Sequence, residues 1–138
     1  MLIANPLNES SLAFPILESV HLLGIFCGVG TAALVDLSLL RSDMSPANVW
    51  RETRLWTQGG LALAILSGLL LFSIDPDLYF HNPAFRLKML ALLLALGFYF
   101  TAIQKAAARE RKAPLPAIIS LILFALVPLG GIAIGYSK

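Results

Sequence analysis

Charge is scarce in this sequence. Only 13% of its 138 residues are charged, against roughly a quarter in an ordinary soluble domain. That shortage excludes a conventional water-facing surface. The net charge of +2 is small, and no stretch interleaves basic side chains with aromatics, so a nucleic-acid partner is excluded as well. Cysteine occurs once, at Cys27, which rules out an internal disulfide and a CxxC site. There are two histidines, His21 and His81, and no HxxxH or HExxH pair. The chain lacks a P-loop, a dinucleotide fingerprint and a nucleophile elbow. It also lacks an inverted repeat of the kind found in transporters.

Apolar residues are abundant. They make up 58% of the chain, and apolar runs recur at 22–35, 61–72, 89–103 and 117–133. About 20 apolar residues span a hydrocarbon layer of roughly 30 Å. The expected fold is therefore all-α: an integral membrane four-helix bundle, one domain over 1–138, with helices at about 12–40, 46–73, 83–109 and 115–136. Ser45-Pro46 and Asn82-Pro83 each read as an N-cap followed by proline at the first helical position. Asp75-Pro76-Asp77 reads as a chain break, and Pro128 as a kink inside the fourth helix. The polar start of the chain has no Lys or Arg before its apolar run, so the first helix is expected to stay in the mature protein.

Positive charges set the expected orientation. Arg41, Arg51, Arg54, Lys105, Arg109, Arg111 and Lys112 fall on one side, and Arg86, Lys88 and Lys138 on the other. Seven against three places the first and third loops in the cytoplasm and both termini outside. Trp50 and Trp56 suit an inner aromatic belt, and Tyr79, Phe80 and Tyr136 an outer one. The expected location is the bacterial cytoplasmic membrane, multi-pass, with lipids as the obligatory partners. A homo-oligomer or a larger membrane complex remains open.

Two ladders of small residues, Gly24–Gly28–Ala32 and Gly60–Ala64–Gly68, predict close contact between the first two helices. Ionisable residues inside a span are costly and mark candidate sites. The first helix has three: Glu18, His21 and Asp36. At about 100° per residue, Glu18 and Asp36 share one line and His21 lies about 60° away. All three are expected to face the bundle interior. Asp36, about 22 Å along the axis from His21, is expected to pair with Arg41, Arg54 or Lys105. Glu18 and His21, at i and i+3, are expected to orient or charge one another.

His21 has three readings: a polar residue bonded within the bundle, a ligand to a metal or haem iron, or a group that moves protons. His81 sits in the outer loop beside Tyr79, where it meets His21 if the loop folds over the bundle mouth. Two histidines are enough to ligate a b-type haem, or copper together with Met89 or a carboxylate. Arg86 and Lys88 open the third helix, either snorkelling to the interface or holding an anionic group such as a haem propionate.

Three segments carry a resemblance. They are Glu18-Ser-Val-His21-Leu-Leu-Gly24 with the later Gly28, Gly30 and Asp36; Ser67-Gly68-Leu-Leu-Leu-Phe72; and Asn82-Pro-Ala-Phe85-Arg-Leu-Lys88. Together they resemble four-helix bacterial membrane proteins related to the copper-resistance protein D membrane domain, over residues 14 to about 104. That resemblance implies metal or redox handling, with His21 and Lys88 at the matching positions. A second resemblance is to the small haem-binding protoporphyrinogen oxidase of bacterial membranes. The same two residues match, but the Arg-x-x-x-x-His close of its first helix and its Asn-Glu-x-Pro motif are missing here.

The expectation is a small membrane protein with a redox or metal role that binds haem b or copper through His21. Glu18, His81, Lys88 and Arg86 assist at this site. The alternatives are a structural accessory subunit and a protoporphyrinogen oxidase-like enzyme.

Overall fold

The computed structural model describes residues 11–136. The expected polar tail and Lys138 lie outside them. The order is α1 (Ala13–Leu40), α2 (Pro46–Ile74), a short α3 (Pro76–His81), α4 (Pro83–Phe98), a π-helical turn (Tyr99–Ile103), α5 (Gln104–Ala108) and α6 (Pro114–Tyr136). No strand occurs among the described residues. α4, the π turn and α5 run on as one span, Pro83–Ala108, so four helices are long and apolar enough to cross a membrane. The outer faces fit that solvent: Phe26 is 78% exposed and Leu55 73%, positions that make sense against lipid.

The caps are those the sequence predicts. Ser45 Oγ accepts from Asn48 N–H and Asn82 Oδ1 from Ala84 N–H, each with proline at the start of its helix. The segment read as a chain break differs. Asp75 Oδ1 accepts from Leu78 N–H at 3.1 Å and caps α3. Asp-Pro starts a helix here by the same mechanism as Ser-Pro and Asn-Pro.

α1 packs on α2 along the small-residue ladders. A Cβ built on Gly24 would stand 2.6 Å from Ala64 N, and one on Gly28 2.7 Å from Leu61 N. α6 packs between α4 and α1. The buried core is Ala32, Val35, Leu39, Leu61, Ala95, Tyr99, Ile103, Ala107, Ala117 and Phe124.

On the third span the buried positions are Ala91, Ala95, Tyr99, Ile103 and Ala107. Four-residue steps drift by about 40° each on an α-helix. The wider π turn at Tyr99–Ile103 rotates the chain back, so the stripe keeps facing the bundle.

The linkers 41–45 and 109–113 meet at one end. Lys112 Nζ donates to the carbonyl oxygens of Ser38 (3.0 Å), Met44 (3.0 Å) and Arg41, and Ser45 Oγ donates to Glu110 Oε1. We call this the basic end, and the end holding α3 the far end. The third span closes at the basic end with Glu110 at φ 53°, while Glu110 N–H reaches Ala107 O and Arg111 N–H reaches Ala106 O. This is a Schellman closure with glutamate where glycine is usual.

Candidate functional site

Toward the far end, His21 of α1 turns into the bundle. Its Nδ1 lies 2.8 Å from Ala64 O and 3.0 Å from Ser67 Oγ on α2. A carbonyl oxygen only accepts, so the proton is assigned to Nδ1. Ser67 is itself tied down, its hydroxyl reaching Leu63 O at 2.6 Å. Nε2 is left as the ring atom whose proton can come and go. Gly68 makes room for the ring: a Cβ there would lie 3.0 Å from His21 Cε1.

Lys88 of α4 completes the site from the opposite side. It lies three residues before Ala91 and so belongs to the buried stripe of its span. α6 accommodates its stem with two glycines. A Cβ on Gly130 would stand 2.8 Å from Lys88 Cβ, and one on Gly131 3.5 Å from Lys88 Nζ. His21 and Lys88 line one cavity of about 30 Å³, walled by Ile25, Val29, Leu61, Ala64, Ile65, Leu92 and Val127. Of these only His21 and Lys88 carry polar side chains. The volume suits one water or a monatomic ion. An open apolar trough of about 670 Å³ lies along α1, with Pro128 contributing from α6. Ile25 and Val29 line both trough and cavity.

Other expected site residues stand elsewhere. Glu18 is exposed, and the ring of His21 is held by α2 rather than by Glu18. Pairing at i, i+3 is worth a few tenths of a kcal/mol, less than bonds to a neighbouring helix in an apolar interior. Glu18 instead acts on Tyr79, which burial first, and Glu18 and Asp75 after it, hold above the ordinary phenol range. His81 is exposed, its Nδ1 bonded to Asp77 O at 2.9 Å, and is not among the residues lining the His21 cavity. α3 keeps the loop wound on itself. Arg86 donates to Phe80 O at 2.9 Å and lies over the Phe80 ring.

Asp36 also departs from expectation. Its Oδ2 accepts from Ser120 Oγ on α6 at 2.8 Å, and among the described residues no basic side chain pairs with it. Arg41 points outward, its guanidinium holding the Asp43 carboxyl below the usual range. An arginine five residues beyond a fully buried aspartate reaches water sooner than it reaches the carboxylate.

Sequence reasoning missed Ser67, Tyr99 and Ser120. Ser120 was findable, because it lies on the buried stripe Ala117, Ser120, Phe124, Val127 of α6. In the sequence Tyr99 is only one position of the third apolar run.

Among the described residues no group of three or more His, Cys, Asp or Glu converges as a metal site would require. Pockets for drug-sized ligands run to roughly 300–1,000 Å³, so the cavity at His21 has no room for a porphyrin. It has room for a single ion beside one imidazole and one amine. No known protein family, curated protein or solved structure matches the chain.

Proposed function

We propose that this chain is a proton-handling protein of the bacterial cytoplasmic membrane, with His21 Nε2 as its working atom. The observation that carries the reading is the bond from Nδ1 to Ala64 O. It assigns the proton to Nδ1 and leaves the other ring nitrogen unclaimed, on a residue that lines a water-sized cavity with Lys88. Histidine is the side chain whose charge changes nearest neutral pH. An imidazole and an ammonium facing one small guest can exchange a proton through it. The seven-to-three charge asymmetry supports a basic end in the cytoplasm, so the His21–Lys88 site lies toward the outside.

The test is nitrogen-15 NMR of histidine-labelled protein in bilayers, with proton uptake measured in vesicles. Nε2 is expected to gain a proton as pH is lowered while Nδ1 keeps its own, and His21→Ala is expected to abolish uptake. A Nε2 signal that never changes with pH overturns the reading.

A second reading is the redox or metal role that the resemblance to the copper-resistance protein D group implies. The same bond favours it, because metal-ligating histidines are held by the second ring nitrogen in this way. His21 Nε2 is then the ligand and Lys88 its neighbour. An absorption spectrum and elemental analysis of detergent-purified protein decide it: colourless, metal-free protein removes both haem b and copper.

A further inference from the structure

Two buried oxygens at the basic end of the bundle lack partners. Asp36 is fully buried and Tyr99 is 1% exposed. Asp36 Oδ1 and Tyr99 OH have no hydrogen-bond partner among the described residues. Tyr99 lies within electrostatic reach of Asp36 and beside Thr57, outside hydrogen-bonding geometry. Thr57 is engaged with Thr31 at 2.6 Å and with Thr53 O at 3.1 Å. An orphaned buried polar atom costs about 1–3 kcal/mol, and here two lie within electrostatic reach of one another.

Their needs are complementary. A carboxylate oxygen requires a donor, and a phenol hydroxyl requires an acceptor. One water satisfies both at once, whereas a sodium ion offers Tyr99 nothing to donate to. The π turn that aims Tyr99 inward is a feature often found at functional positions.

We propose that Asp36, Tyr99 and one enclosed water form a second proton-binding site, at the basic end of the bundle. A hydronium entering from that end gives its proton to Asp36 Oδ1. An O–H bond forms there and one breaks on the hydronium, which remains as the bridging water. Among the described residues the groups tied to Asp36 are neutral hydroxyls: Ser120 from α6 by a hydrogen bond and Tyr99 from the π turn by electrostatic reach. Lys105 on α5 is exposed, and Lys112 is occupied with linker carbonyls. His21 and Lys88 belong to the other site, His21 being about 22 Å away along the helix axis. The site does not rest on the reading of His21.

The test is infrared difference spectroscopy of the full chain in lipid, with aspartate carbon-13 labelled at its carboxyl. A label-sensitive band of a protonated carboxylic acid is expected to appear as pH falls. It should be lost in Asp36→Asn, shifted in Tyr99→Phe and kept in His21→Ala. The label identifies an aspartate band even if the Asn variant fails to fold. Absence of a label-sensitive band at every pH overturns the proposal. So does a band indifferent to Tyr99→Phe, or one that responds to sodium and not to pH.

Discussion

His21 Nδ1 donates to Ala64 O across the first helix pair, 2.8 Å away and 43 residues later in the chain. A side chain that bonds a backbone carbonyl of another helix is fixed by the packing of that helix. The imidazole is therefore only as well placed as the glycine contacts beneath it.

Those contacts can be tested directly. Gly28→Ala adds a Cβ against Leu61 N and Gly24→Ala one against Ala64 N. Each is expected to destabilise the bundle by about 1–3 kcal/mol, the usual range for overpacking, and to loosen His21. Gly30→Ala and Gly59→Ala, whose Cβ positions are open, are expected to change nothing. Unfolding in mixed detergent reads all four.

Ser67 supplies the second acceptor for His21. Ser67→Ala is expected to cost about 0.6 kcal/mol, the average for side-chain hydrogen bonds between membrane helices. The Nδ1 proton should persist, donated to Ala64 O. An Nδ1 that loses its proton in this variant would mean that the serine, not the carbonyl, fixes the tautomer.

Ser120→Ala removes the donor to Asp36 Oδ2 and leaves that oxygen buried and unpaired. A loss of about 1–3 kcal/mol is expected. Tyr99→Phe separates two possibilities. With a guest bridging to Asp36 the variant costs stability, whereas an idle hydroxyl makes it neutral or stabilising.

Alkaline pH is expected to weaken the far end. Tyr79, on α3 and tilted against the rings of Phe72 and Phe85, has its hydroxyl raised by burial, then by Glu18 and Asp75. A raised folded value means that the folded chain keeps a proton the unfolded chain gives up. Stability from this group is whole below about pH 10 and falls as pH climbs toward the folded value. Tyrosinate absorbance should therefore show the Tyr79 hydroxyl ionising late. Tyr79→Phe should remove one late-ionising hydroxyl from the three-tyrosine total, and Glu18→Gln should bring the Tyr79 step to lower pH.

Lys112 holds three carbonyls at the end of α1 and in the following linker. Lys112→Met is expected to cost about 1–2 kcal/mol, as for lost bonds to a charged donor, and to speed amide exchange at 41–45. Asp43→Asn, which breaks an exposed pair with Arg41, is expected to leave stability unchanged.

The spans were legible because their signals are local. Ser45-Pro46 and Asn82-Pro83 cap helices wherever they occur, and 20 apolar residues need no tertiary context. The glycine ladders were legible for the same reason, since small residues four apart leave the same face bare. The site was legible only in part. A helical wheel put Glu18, His21 and Asp36 on one side of α1, yet exposure depends on what stands opposite at each depth. Glu18 is exposed at the far end, His21 meets Ala64, and Asp36 meets Ser120. The partners Ala64 O and Ser120 Oγ lie 43 and 84 residues away, and nothing in the neighbouring sequence points to them. The π turn was invisible because it answers a mismatch between a four-residue stripe and the α-helical period, which shows only once the stripe is known to be buried.

The lysine clasp also bears on how the chain is made. The first two spans can pair as soon as both have entered the bilayer, since their contacts are their own. The carbonyls at the close of the first span must stay with solvent until the third has crossed, because residue 112 follows it in the order of synthesis. The nascent hairpin therefore spends the interval with an unfinished seam on its positively charged side, and insertion of the later segments seals it.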